Sequence, residues 1–65
     1  MKLIINGQNK EFQGATLKDV IASFACDTGR VIAELNGQII KNSSWQDTHV
    51  RNGDTIELVT FVGGG

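Results

Sequence analysis

The chain has 65 residues, a formal net charge of -1 at pH 7, and a single cysteine. A chain of this length forms one domain that buries only about 60% of its unfolded surface, which excludes a large second lobe and a deep cofactor pocket. The basic residues are scattered and form no stripe, which argues against a nucleic-acid partner. A single cysteine excludes an internal disulfide, so we expect a cytoplasmic protein. No apolar run approaches the roughly 20 residues of a membrane span, so we expect no membrane partner.

The chain begins with the pattern of a β-hairpin. Residues 2–6 predict a strand in which Ile4 points away from the core. The pair Asn6-Gly7 predicts a type I′ turn, because such a turn needs a positive φ at both central residues. Residues 10–13 are then expected to return antiparallel and to place Phe12 in the core.

A helix is predicted to follow the hairpin. Thr16 is a good N-cap, and Asp19 supplies the acid of a short capping box. Four apolar residues follow at the helical spacing i, i+3, i+4 and i+7: Leu17, Val20, Ile21 and Phe24. We expect a helix of about ten residues with one apolar stripe.

A second hairpin is predicted after the helix. Residues 31–35 are an extended run, Asn36-Gly37 repeats the turn signal, and residues 38–40 return. Ser44 is then expected to cap a single helical turn that contains Trp45, whose ring would close the edge of a small core.

The chain continues into a final strand. Residues 48–50 predict a short extended piece, and residues 51–54 predict a turn. Residues 55–61 predict a strand with Ile56 and Leu58 on one face, and with Glu57, Val59 and Phe61 on the other.

Strands gathered around one helix predict an α+β fold, with a mixed sheet of four to five strands and the helix packed on one face. Inward-facing positions on the strands are Leu3, Ile5, Val31, Ala33, Leu35, Ile56 and Leu58. One helix covers one face, so the other face is expected to stay open. Four apolar residues are predicted to form a partner-binding patch on that face: Ile4, Ile32, Val59 and Phe61.

Three glycines, Gly63, Gly64 and Gly65, follow the last strand without a spacer. We divide the chain into a domain over residues 1–62 and a flexible tail over residues 63–65. Glycine lacks a Cβ, so this tail fits an active-site channel that is too narrow for other residues. The positions after Phe61 carry the α-carboxylate of Gly65 roughly 13 Å beyond the folded body. A passive glycine-rich linker is the alternative interpretation.

Two stretches of this sequence resemble a known family. Residues 35–40 read Leu-Asn-Gly-Gln-Ile-Ile, and residues 52–65 read Asn-Gly-Asp-Thr-Ile-Glu-Leu-Val-Thr-Phe-Val-Gly-Gly-Gly. Together with the length, they resemble the ThiS family, the sulfur carrier proteins of thiamine biosynthesis, which have a ubiquitin-like β-grasp fold. Gly63 stands where the common pattern has a bulkier residue, and we interpret it as additional reach.

The resemblance implies a co-substrate and not an enzyme. A ThiF-like activating enzyme would use ATP and magnesium to adenylate the carboxylate of Gly65, while the tail of Gly63, Gly64 and Gly65 lies in its active site. A sulfur-donating enzyme would then give a thiocarboxylate, and a ThiG-like thiazole synthase would take the sulfur. The chain itself would bind no cofactor and no metal.

Three alternatives stay open at this point. The small subunit of molybdopterin synthase shares the fold and the thiocarboxylate, but it is typically longer. Ubiquitin-type modifiers commonly have arginine just before the glycines, where this chain has Val62. A β-grasp interaction module would bind a partner through its open sheet without using the tail.

Two further residues are candidates for chemistry. Cys26 follows the helical stripe and is interpreted as a small buried apolar residue, not as a nucleophile. His49 has no second metal ligand near it in the sequence other than this cysteine, so we expect no metal site.

Overall fold

The computed structural model describes residues 1–61. The strands are β1 (Lys2–Ile5), β2 (Gln8–Glu11), β3 (Val31–Leu35), β4 (Gln38–Ile40) and β5 (Thr55–Thr60), and the helices are α1 (Leu17–Phe24) and a 3₁₀ helix (Asn42–Asp47). The five strands form one sheet in the order β2-β1-β5-β3-β4. β1 and β5 run parallel, and the other neighbours are antiparallel. The predicted α+β fold with a mixed sheet is confirmed.

Both hairpins turn through an Asn-Gly pair, as predicted. The φ angles are 50° at Asn6, 79° at Gly7, 51° at Asn36 and 88° at Gly37, and positive φ at both central residues is the signature of a type I′ turn. The prediction that the first return strand begins at residue 10 was wrong by two residues. A two-residue turn brings Gln8 directly opposite the last residue of β1, so β2 begins there.

The predicted capping box at the start of α1 is confirmed. The backbone N–H of Asp19 donates to the Thr16 hydroxyl at 3.3 Å, and the N–H groups of Thr16 and Ala15 donate to the Asp19 carboxylate at 3.1 and 3.0 Å. The hydrogen bond from the Ala15 N–H, and then that from Thr16, lowers the pKa of the Asp19 carboxyl below its ordinary value of 3.8. The helix has eight residues, shorter than predicted, because Ala25 is already extended with ψ 140°.

The core lies between α1 and one face of the sheet. Its buried residues are Leu3, Ile5, Phe12, Leu17, Val20, Ile21, Val31, Ala33, Trp45, Val50, Ile56 and Leu58. Phe24 is only partly buried, with its ring centroid 6.2 Å from that of Phe12. Gly14 makes this packing possible, because a Cβ at this position would lie 2.3 Å from the Phe12 ring.

The segment after β4 differs from the prediction. The 3₁₀ helix begins at Asn42, with Lys41 at its N-cap and no side-chain cap, so Ser44 lies inside the helix and does not cap it. Trp45 explains the earlier start: its ring is buried as predicted, and its Nε1–H donates to the Ile40 carbonyl at 2.9 Å, which draws the segment back to the end of β4. The extended piece predicted at residues 48–50 is reduced to one bridge between His49 and Thr16.

Over residues 1–61, no helix combines the length and the apolar character that crossing a bilayer requires.

Candidate docking face beside the last strand

β5 is the central strand of the sheet, and β1 forms backbone hydrogen bonds with its first half. The N–H of Ile4 donates to the Asp54 carbonyl, and the N–H of Asn6 donates to the Ile56 carbonyl, both at 2.9 Å. After Asn6 the backbone turns away from β5, and the Asn6 side chain continues the pairing. Asn6 Oδ1 accepts from the Leu58 N–H at 2.7 Å, and Asn6 Nδ2 donates to the Leu58 carbonyl at 3.2 Å.

The asparagine of the second turn holds the start of the same strand. Asn36 Oδ1 accepts from the Thr55 N–H at 2.9 Å, and Asn36 Nδ2 donates to a carboxylate oxygen of Asp54 at 3.1 Å. The other Asp54 oxygen accepts from the Arg51 N–H at 2.7 Å. This role of Asn6 and Asn36 was not predicted from the sequence. The available signal was the use of Asn in both turns, since its amide offers a donor and an acceptor where Gly offers neither.

Three of the four residues predicted for the partner-binding patch come together on the open face. Ile32 on β3 is 41% exposed and lies directly opposite Val59 on β5, which is 52% exposed. Phe61 is 46% exposed, and its N–H donates to the Arg30 carbonyl at 2.9 Å, which extends the pairing one residue beyond β5. Their outward orientation is as predicted.

Ile4 does not join these three residues. The parallel register places it beside Thr55 at the start of β5, four residues before Val59 and therefore roughly 13 Å along the strand. Its side chain is half-buried. The sequence showed that Ile4 faces outward but did not show the register between β1 and β5.

Ile39 takes that place on the open face. It lies on β4 opposite Glu34, and at 68% exposure it is the most exposed of the large apolar side chains in the described chain. Ile39 and Ile40 were predicted to lie on a strand, but their faces were not assigned, although strict alternation points one of them outward. We define the apolar patch by these residues: Ile32, Ile39, Val59 and Phe61.

A shallow groove runs along the edge of the apolar patch. Its volume is about 420 Å³, and Ile32, Ile39 and Phe61 contribute to its wall together with Lys41 at the end of β4. The patch is therefore a shaped surface at the point where β5 ends. A second cavity of about 490 Å³ lies away from it, between β2 and α1, and its Asp19 carboxylate already serves the helix cap.

The predicted tail residues, Gly63, Gly64 and Gly65, lie outside the described residues, as does the predicted boundary between residues 62 and 63. Their roles as tail and as modified carboxyl terminus stay predictions. Phe61, the last described residue, lies in the wall of the groove.

The interpretation of Cys26 as a buried residue was wrong. The thiol is exposed, because α1 ends at Phe24 and Cys26 falls in the following loop instead of extending the apolar stripe. His49 is also exposed. In the part of the chain that the structure describes, no group of three or more His, Cys, Asp or Glu side chains is arranged to hold a metal ion.

Comparison with known proteins gives one consistent result. The ThiS family model matches residues 3–65. The sulfur carrier protein ThiS of Bacillus subtilis is 34% identical over 65 residues, covering 97% of this chain and 98% of that protein. A thiazole synthase of Paramagnetospirillum magneticum is 36% identical over 66 residues, covering 100% of this chain, and the chain spans only 20% of that relative.

The fold agrees with the sequence match. A crystal structure of the thiamine biosynthesis protein ThiS from Geobacter metallireducens superposes with a TM-score of 0.85 at 29% identity, covering 100% of both chains. The ubiquitin-like β-grasp fold expected from the resemblance is confirmed. The chain belongs to the ThiS family.

Proposed function

We propose that this chain is a sulfur carrier protein that supplies sulfur for thiazole formation in thiamine biosynthesis. The observation that carries the proposal is the apolar patch, which lies at the end of β5, immediately before the glycine tail of a ThiS-family chain. Exposed apolar side chains of this kind mark a protein contact. A contact at this position lets a partner hold the domain while the tail lies in the partner's active site.

The carried atom is attached to Gly65. A carboxylate is a poor electrophile, and adenylation by ATP converts it into a mixed anhydride with AMP and releases pyrophosphate, which divides one difficult step into two easier ones. Sulfide released by a sulfur-donating enzyme then attacks the carbonyl carbon, the bond from this carbon to the phosphate oxygen breaks, and AMP leaves. The product is a thiocarboxylate on Gly65.

The catalytic groups belong to the partners. ATP and magnesium are used by a ThiF-like adenylating enzyme, and the chain itself contributes the carboxylate, the tail and the docking face. A ThiG-like thiazole synthase accepts the sulfur, and the similarity to a protein named thiazole synthase supports that partner. We place these ATP-dependent reactions in the cytoplasm.

Addition of one alanine after Gly65 tests the proposal. The extra residue moves the carboxylate and gives it a side chain, so we expect loss of ATP–pyrophosphate exchange with the adenylating enzyme of the same host, while thermal unfolding stays unchanged. The unextended chain is the matched control. Exchange at the rate of this control would rule out a carrier role for Gly65.

Complementation distinguishes the two sulfur-transfer pathways. We expect the chain to restore growth without thiamine to a bacterial strain that lacks its own carrier, and intact mass should show sulfur in place of one oxygen at Gly65. Restoration of molybdenum-cofactor synthesis without thiamine growth would favour the small subunit of molybdopterin synthase instead.

A further inference from the structure

Two glutamates face each other on the open side of the sheet. Glu34 on β3 lies opposite Glu57 on β5. Hydrogen-bonded pairs alternate along an antiparallel ladder, and the pair two residues away is hydrogen-bonded, since the Asn36 N–H donates to the Thr55 carbonyl at 2.8 Å. The pair Glu34–Glu57 is therefore hydrogen-bonded through its backbone, and its Cβ atoms stand about 5 Å apart.

This pair of like charges does not stabilise the fold. Like charges directly opposite each other on neighbouring strands repel and are destabilising. Over residues 1–61 the ion pair that forms joins Arg30 to Asp27 at 3.9 Å, and neither glutamate has a described cation within ion-pair distance. Glu57 is exposed and Glu34 is half-buried, so the two carboxylates are kept close together on this face at a cost to stability.

The glutamates lie at the border of the apolar patch, directly beside its residues. Ile39 is the neighbour of Glu34 on β4, and Ile32 and Val59 form the next row of the sheet. A partner that covers these apolar side chains must also remove water from the carboxylates. Burial of an ionised carboxylate is unfavourable unless a cation and hydrogen-bond donors replace the water.

We propose that the apolar patch and the Glu34–Glu57 pair dock together on the adenylating enzyme, through an arginine or lysine that this enzyme presents within an apolar surface. The inference rests on the proposed function, because it is the enzyme that activates Gly65 that must hold the domain. An arginine fits best, since its guanidinium donates to two carboxylates in a fixed geometry. The same pair disfavours partners whose matching surface is acidic.

Neutral variants of the same shape test the inference. Glu34→Gln and Glu57→Gln remove the charges, and Glu11→Gln is the matched control, because Glu11 is an exposed acid on β2 opposite Lys2, at the far edge of the sheet. Each variant is titrated against the adenylating enzyme of the same host at low and high salt. Thermal unfolding and ATP–pyrophosphate exchange are measured beside each titration.

We expect Kd to rise about tenfold or more for Glu34→Gln and Glu57→Gln, and to stay unchanged for Glu11→Gln. Salt should weaken binding of the unaltered chain more than that of the two variants. Their melting temperature should stay the same or rise, since a repulsion is removed. Equal affinity for all three variants, or weaker binding accompanied by a lower melting temperature, would overturn the inference.

The outcome for the docking face is separable from the outcome for the proposed function. If the unaltered chain supports ATP–pyrophosphate exchange and the Gln variants bind equally well, the carrier role is intact and the role of the glutamates is refuted. If binding depends on Glu34 and Glu57 but no ATP–pyrophosphate exchange occurs, the role of the glutamates is supported and the carrier role is refuted. Absence of binding by the unaltered chain overturns both.

Discussion

The first and last parts of β5 differ in how they are held and in what they expose. Residues 55–58 lie between β1 and β3 and bury Ile56 completely at 0% exposure. The backbone N–H groups of Leu58 and Thr55 donate to the side-chain oxygens of Asn6 and Asn36. Residues 59–61 pair with β3 and its preceding residue, with no β1 partner among the described residues, and expose Val59 and Phe61. The first part of the strand is therefore buried and paired on both sides, whereas the last part exposes the residues that we propose for docking.

The largest expected effect is on the buried side of the first part. Ile56→Ala should reduce the free energy of unfolding by about 2–5 kcal/mol, because it leaves a cavity among fully buried side chains. Val59→Ala should change it by only about 0.5 kcal/mol, as is usual at the surface. Denaturant unfolding of both variants provides the measurement. A larger loss for Val59→Ala would show that the two parts of β5 do not differ as described.

Removal of the Asn6 side chain tests how the first part is held. Asn6→Gly keeps the positive φ of the turn but removes both hydrogen bonds to Leu58, and we expect a loss of about 1–3 kcal/mol. Asn6→Asp keeps the acceptor and removes the donor, so its loss should be smaller. Faster amide exchange at Leu58 should accompany each loss in the same order. If Asn6→Gly unfolds at the same denaturant concentration as the unaltered chain, the side-chain bonds contribute nothing.

The exposed part should respond in binding and not in stability. Val59→Asp places a charge in an apolar contact that must lose water, so we expect Kd for the adenylating enzyme to rise about tenfold or more while stability changes by about 0.5 kcal/mol or less. Thr55→Asp is the matched control, since Thr55 is exposed on the same face at the other end of the strand. Equal binding of both variants would remove the open face as the docking surface.

The smallest effect concerns the start of α1, the helix that shares its core with the buried side of β5. The pKa of Asp19 is lowered in the folded chain by the Ala15 and Thr16 N–H groups. Its contribution to stability is therefore present above its ordinary pKa of 3.8 and is lost as pH falls through the lower, folded value. Melting temperature should drop in that range, and Asp19→Asn should flatten the dependence. If Asp19→Asn shows the same dependence of melting temperature on pH as the unaltered chain, the carboxylate does not stabilise the start of α1.

Local signals in the sequence predicted most of this fold. The Asn-Gly turns and the Thr16–Asp19 capping box depend on neighbouring residues and on backbone conformation, so they were predictable without the tertiary structure. Alternation also gave the correct faces for Ile56 and Val59. These features do not depend on which strand lies beside which.

The candidate site was only partly predictable because it depends on registers between distant strands. Ile4 and Val59 were both expected to face outward, and only the parallel pairing of Ile4 with Thr55 separates them. The pairing of Ile39 with Glu34, and of Glu34 with Glu57, is likewise set by registers that alternation within one strand does not specify. Cys26 was misplaced for another reason, since α1 ends at Phe24 and has eight residues instead of the predicted ten or so.

The position of β5 in the sheet also bears on the order in which the molecule folds. β5 is the last strand in sequence of the described chain, and it lies between the two hairpins, pairing with β1 across about fifty residues. Local hairpins close quickly, whereas contacts between distant residues form slowly, so the hairpins and α1 can assemble before β5 inserts. The row formed by Val59 beside Ile32 exists only after that insertion. An enzyme that recognises this row would therefore bind completely folded chains and would not bind chains in which β5 has not yet inserted.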